Sequence, residues 1–172
     1  LLLRKNMGAC KRVMADNKFN ISYRIINKDF ILSNLLKNKI KEYQCNSKKC
    51  YDLVISNPPY YRINRDDPCI AEIKPFFKEQ PNVYSLFMTL SAILLKDRGQ
   101  MVIITPRSYS SGLFFKKFRK WFFNVVKPLR IHIFNSRNEV FKKYNVLQET
   151  VILTAMKTSR IPNEVLVSMS NG

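Results

Sequence analysis

Glycine is scarce in this 172-residue chain. The four residues Gly8, Gly99, Gly112 and Gly172 form no G-x-G, so the chain carries no glycine-rich nucleotide loop of the familiar kind. Histidine is scarcer still: His132 is alone, and a histidine-built metal centre has no material here. The four cysteines, Cys10, Cys45, Cys50 and Cys69, make no C-x-x-C pair. That spacing speaks against zinc, and free thiols in a reducing cytoplasm are the expectation. No run approaches the ~20 apolar residues of a membrane span. The opening "LLLRKN" has too short an apolar stretch for a signal peptide. Acidic residues are also few: 12 Asp+Glu face 30 Lys+Arg, a net charge of +18. A surface that basic attracts a polyanion such as DNA or RNA. An AT-rich coding bias would also enrich Lys, Asn and Ile, but it should supply Glu as well.

What is present fits one globular domain, with 46% apolar and 24% charged residues. Residues 1–19 read as a helix that starts, at Leu1, on what looks like a helix interior, so the chain is expected to be cut from something longer. "SYRIINKDF" reads as a short strand ending at Asp29, and "ILSNLLKNKIKEY" as a helix. "DLVIS" is a buried-looking strand, and residues 61–81 read as a long functional loop. Asn82 is placed to cap a helix carrying Val83, Leu86, Phe87, Leu90 and Leu94 at helical spacing. Arg98-Gly99 is expected to end it. "MVIITP" suits a strand covered on both faces. Ser110 or Ser111 could cap the next helix, whose Phe114, Phe118, Trp121 and Val125 form an apolar face. Lys116, Lys117, Arg119 and Lys120 read as its solvated side. "LRIHIF", containing a packed or exposed rather than catalytic His132, "ETVILTAM" and "NEVLVSM" read as strands. The alternation predicts an α/β fold with a mostly parallel sheet and flanking helices.

The strand "DLVIS" runs into Asn57-Pro58-Pro59-Tyr60. Two prolines stop a strand by removing ladder donors. They leave a stiff, polar, aromatic-flanked turn at the strand's carboxyl end, where open α/β sheets hold ligands. This turn resembles the [DNS]-P-P-[YFW] motif of S-adenosylmethionine-dependent methyltransferases that modify amide or exocyclic amine nitrogens. It is most similar to that of the adenine-N6 DNA methyltransferases of restriction–modification systems, including type II enzymes that fuse modification and cleavage. "DLVISNPPYYRI", "NVYSLFMTLSAILLKDRGQMVIITPRSYSSG" and "FKKYNVLQETVILTAMK" carry the resemblance in that order, across residues 22 to 158.

The resemblance implies a partial Rossmann-like methyltransferase fold using S-adenosyl-L-methionine and acting on double-stranded DNA. Asn57, Pro58, Pro59 and Tyr60 would be catalytic. Adenine N6 is a poor nucleophile because its lone pair is delocalised into the ring. An Asn57 side-chain oxygen and the Pro58 carbonyl would accept its two N–H groups and free that pair, as preorganised dipoles aimed where charge develops. The target base must leave the duplex, and Tyr60 would stack on it, with Phe141 or Tyr144 as a second contact. Asp29 and Phe30 match the family's acidic–aromatic pair at the cofactor's adenine end. The sulfonium is itself the electrophile, so no metal is implied.

The family's Gly-rich cofactor loop should lie before Asp29 and has no match here. Residues 1–172 are therefore expected to be a partial catalytic domain, without the N-terminal cofactor-binding strands, the C-terminal target-recognition domain or a nuclease motif. An endonuclease or specificity domain could be fused or act as a partner. The rival readings are a protein-glutamine N5 methyltransferase, an RNA-base methyltransferase, and an inactive DNA-binding fragment. "YRINRDD" after the turn and the +18 charge disfavour the first of these.

Overall fold

The computed structural model describes residues 2–35, 50–64, 82–134 and 149–170. Helices α1 (Leu2–Asp16) and α2 (Phe30–Leu35) come first, then strand β1 (Tyr51–Ser56) and helix α3 (Val83–Leu94). Strand β2 (Leu95–Pro106), a 3-10 turn (Arg107–Ser110) and helix α4 (Lys116–Val125) follow. Strands β3 (Val126–Phe134), β4 (Thr150–Lys157) and β5 (Leu166–Ser170) complete the order.

The strands form one sheet, ordered β1-β2-β4-β3-β5. β1 pairs with β2, and β3 with β5, in parallel, whereas β4 is antiparallel to both β2 and β3. Four strands thus run one way and β4 alone runs back between them. The α/β fold and the mostly parallel strand direction are as expected. The ladders themselves are mixed, because the reversed strand sits inside the sheet and not at its edge.

Burial follows the period of two along the central parts of β2 and β4. Met101, Ile103 and Thr105 of β2 and Val151, Leu153 and Ala155 of β4 are buried, while Val102, Ile104, Ile152 and Thr154 are half-buried. The buried set shares one core with Leu86, Met88 and Leu90 of α3 and with Phe118 and Phe122 of α4. The core shared with α3 and α4 covers one face of "MVIITP"; on the other, Val102 and Ile104 are half-buried and Pro106 is buried. α3 is buried nearly all round, from Val83 to Ala92, as a helix held between a sheet and other helices must be.

Several boundaries differ from the sequence reading. β1 forms where expected but is not buried: among the described strands it pairs with β2 alone, and Leu53 is 52% and Ile55 73% exposed. "SYRIINKDF" is not a strand. None of the described strands pairs with it, and without a ladder its backbone gains nothing from extension. α3 ends at Leu94, not at Arg98-Gly99, and the chain passes directly into β2. Asn82 does occupy the N-cap of α3, but its side chain makes no cap bond; its carbonyl accepts from the backbone and side chain of Ser85. Neither Ser110 nor Ser111 caps α4. Phe115 holds that position, and Ser110 Oγ donates to the Arg107 carbonyl within the 3-10 turn. Cys10 is free and exposed, but Cys50 is disulfide-bonded. The free-thiol expectation holds for Cys10 and fails for Cys50. Among the described residues no helix is long and apolar enough to cross a membrane.

Candidate active site at the carboxyl end of β1

The Asn57-Pro58-Pro59-Tyr60 turn leaves β1 at its carboxyl end, beside the carboxyl end of the parallel β2. Pro58 is buried, Asn57 and Pro59 are exposed, and Tyr60 is half-buried. The turn is pinned at its far side as well. The Val83 N–H donates to the Tyr61 carbonyl at 2.9 Å, and Arg62 forms a β-bridge with Asn82. Ile63 then enters the core. Two stiff prolines between two anchored ends fix where Asn57 and Tyr60 sit.

Tyr60 and Asn57 touch each other. The Tyr60 hydroxyl lies 3.1 Å from Asn57 Oδ1 and 3.3 Å from the Ile104 carbonyl, sharing one proton between two acceptors. The contact holds the Asn57 amide with its oxygen toward the ring and leaves that oxygen a second lone pair. Burial raises the Tyr60 hydroxyl above the usual phenol value, so it stays a donor at neutral pH.

Sequence reasoning missed what stands behind Tyr60. Its ring meets Tyr84 of α3 edge-on, with centroids 6.3 Å apart. Tyr84 is fully buried, and its hydroxyl lies 2.9 Å from Ser108 Oγ. The loop holding Ser108 is tied down by Arg119, whose guanidinium donates to the carbonyls of Tyr109, Ser111 and Gly112 at 3.1, 2.8 and 2.7 Å. Arg119 is thus no solvated face, unlike the exposed Lys116, Lys117 and Lys120. The planar guanidinium presents its N–H donors in a fixed fork, which suits it to bridging several carbonyls of one loop. The available signal was a tyrosine in the first turn of a helix that carries no charged residue.

Asp29 is exposed and caps α2: its Oδ1 accepts from the Leu32 N–H at 2.8 Å, and its carbonyl from Ser33 N–H. Capping takes up one carboxylate oxygen, satisfying an orphan donor of the helix. Phe30 stacks on Phe87 of α3, with centroids 4.8 Å apart and an angle of 26°. Phe87 lies three residues after Tyr84, on the same side of α3. Both predicted groups therefore attach to the first turns of one helix, Asp29 and Phe30 through Phe87 and the turn through Tyr84. Phe141 and Tyr144 lie outside the described residues. His132 is packed as expected: Nδ1 lies 2.9 Å from Ser168 Oγ and Nε2 3.1 Å from Ser170 Oγ, joining β3 to β5.

Residues 4–141 match the family described as Eco57I restriction-modification methylase. Over 156 residues, 90% of the chain, the sequence is 38% identical to the type II methyltransferase M.PstI of Providencia stuartii, covering 30% of that protein. Over 123 residues, 72% of the chain, it is 33% identical to M.BsuBI of Bacillus subtilis, covering 24% of it. The chain thus spans less than a third of the length of the curated relatives it matches. Among solved structures, the fold is similar to a Listeria monocytogenes protein assigned to the class I S-adenosylmethionine-dependent methyltransferases. The TM-score is 0.56 at 19% identity, over 72% of this chain and 38% of that one. The type IIG restriction endonuclease BpuSI gives 0.56 at 24% identity, over 73% of this chain and 16% of that one.

Proposed function

The chain belongs to the Eco57I restriction-modification methylase family, and from that premise we propose that it supplies the target-base half of an adenine-N6 DNA methyltransferase. The observation that carries this reading is the pinned turn: an exposed Asn57 amide, oriented by the Tyr60 hydroxyl, at the carboxyl end of a parallel strand. Asn57 Oδ1 would accept one N–H of the extruded adenine, and the Pro58 carbonyl the other. Tyr60 would stack on the base, and Phe141 or Tyr144 would close its other side. Double-stranded DNA is the proposed substrate, consistent with the +18 charge.

The residues present fit the adenine end of S-adenosyl-L-methionine. The exposed Asp29 carboxylate keeps one oxygen beyond its capping bond, and Phe30 is held beside it by Phe87. When bound, that cofactor supplies an electrophilic methyl group on sulfonium. The chain's own work is to bind, orient and desolvate the amine, without a metal. A fused or separate endonuclease and specificity domain, and a cytoplasmic location, belong to the same proposal.

A chimera tests it, with this chain replacing the matching segment of the Providencia stuartii relative. Nucleoside analysis of DNA incubated with the chimera and cofactor is expected to find N6-methyladenine. A methylated cytosine as the product would reject the adenine assignment, and transfer to protein glutamine or RNA alone would favour a rival class.

The Tyr60 hydroxyl gives a second expected result. Tyr60→Phe keeps the stacking ring, so DNA affinity should hold within about twofold, whereas Tyr60→Ala should weaken it by about 1–3 kcal/mol. Losing the Asn57 contact should nonetheless lower turnover of the Phe variant about tenfold, the worth of one ordinary hydrogen bond. Unchanged single-turnover rates for Tyr60→Phe would show that the hydroxyl does not orient Asn57.

A further inference from the structure

The end of the sheet opposite the turn holds a feature that the methylation reading does not use. Between Tyr51↔Leu95 and Leu53↔Gln100 the β1–β2 ladder advances two residues on β1 and five on β2. The three extra residues form a bulge. Bulges of this kind re-aim side chains, and this one is firmly built. Lys96 holds Asp52 at 2.8 and 2.9 Å. Gly99 packs so closely that a Cβ there would stand 2.9 Å from the carbonyls of Lys96 and Tyr51. Arg98 adopts a left-handed φ of 61°, a conformation that costs a non-glycine residue free energy and gathers at functional sites.

Arg98 lines a cavity of about 560 Å³, a size suited to a small organic ligand. Lys127 of β3 and Arg160, after β4, line it too, over an apolar floor that includes Leu129, Met156 and Ile161. Among the described residues no hydrogen bond or ion pair engages the Arg98 or Arg160 guanidinium. The one carboxylate in the lining, Asp97, is offset by Lys157, whose ammonium is held at the Ile93 and Leu95 carbonyls and feels the Asp97 charge. Ile161 is 82% exposed, so an apolar surface stands open beside two uncommitted arginines.

We propose that this cavity binds the phosphate of a nucleotide unit, with Arg98 and Arg160 on the phosphate and its sugar or base against the Leu129–Ile161 floor. Guanidinium forks match phosphate oxygens, and the apolar floor distinguishes the site from a bare cationic patch. The unit is either a free nucleotide or one residue of a nucleic-acid backbone, and both present the same chemistry. The inference stands apart from the methylation reading, since the cavity and the Asn57 turn lie at opposite ends of the strands.

The test titrates the 172-residue chain with thymidine 5′-monophosphate, which carries no adenine for Asp29, and separately with a labelled single-stranded oligonucleotide. Salt is kept at about 150 mM to suppress diffuse attraction. Arg98→Gly removes the charge while glycine accepts the same φ, and Arg160→Ala alters an exposed position, so both variants should fold. Arg4→Ala/Lys5→Ala on α1 is the charge-matched control. The double variant is expected to lose about tenfold or more in affinity for at least one ligand, with the control unchanged within about twofold. Loss with the mononucleotide assigns a free nucleotide; loss with the oligonucleotide alone assigns a backbone residue. Equal losses in variant and control, no loss in either, or equal binding of an acidic peptide would overturn the proposal.

Discussion

Replacing Asn57 by Ala in the chimera is expected to lower methyl transfer about 100-fold or more while cofactor binding survives, the loss typical of one preorganised acceptor or donor at a reacting centre. The side chain is exposed and, among the described residues, accepts a hydrogen bond from the Tyr60 hydroxyl. Its removal therefore leaves the core intact, and the thermal midpoint should barely move. Tyr60 keeps the Ile104 carbonyl as its acceptor, so the ring stays in place. What disappears is the acceptor that would draw the adenine amine out of conjugation. Asn57→Asp restores acceptor oxygens and should recover part of the rate. Tritium transfer from labelled donor to DNA measures all three proteins under single-turnover conditions. Retention of more than about a tenth of the parental rate by Asn57→Ala would remove Asn57 from the transition state.

The elements most legible in the sequence are those whose own residues decide them. The β1 strand and its diproline stop were readable because proline cannot continue a ladder. α3 was readable because five apolar positions fall on helical spacing, and the last three strands because short apolar runs separated by polar residues have few alternatives. What failed depended on partners distant in the chain. The sequence pattern puts Asp29 at the end of a strand; it caps α2 instead, because no described strand offers "SYRIINKDF" a ladder. Arg119 looked solvated because its helix neighbours are lysines, yet three loop carbonyls claim its guanidinium. The Arg98-Gly99 pair looked like a helix stop and is a bulge within β2. Left-handed φ and a close-packed glycine serve both purposes, and only the register against β1 separates them. Within the candidate site, the sequence named Asn57 and Tyr60. It could not reveal that their side chains meet, nor that Tyr84 and Ser108 stand behind them, since those contacts join residues 24 apart or come from the turn's own geometry.

The 172-residue chain by itself is expected to bind S-adenosyl-L-methionine no more tightly than about millimolar, and to transfer no methyl group. A tight cofactor site needs both ends of the molecule held; for scale, each tenfold in affinity is worth about 1.4 kcal/mol. Among the described residues the candidate partners are the Asp29 carboxylate and the Phe30 ring, both proposed for the adenine end. The methionine end would call for backbone that approaches closely, as glycine permits by lacking a Cβ. The chain's described glycines are committed elsewhere: Gly8 lies in α1, Gly99 packs in the β2 bulge, and Gly112 takes a φ of 77° in the loop that Arg119 holds. Among the described residues β1 pairs with β2 alone, and Leu53 and Ile55, which share one face of it, are exposed. Calorimetric titration of the chain, run beside the full-length Providencia stuartii relative and the chimera, decides the matter. Micromolar binding by the chain alone would show that Asp29, Phe30 and their neighbours already form the cofactor site. Binding that appears only in the chimera would place these residues as one side of a site completed by other segments of the polypeptide.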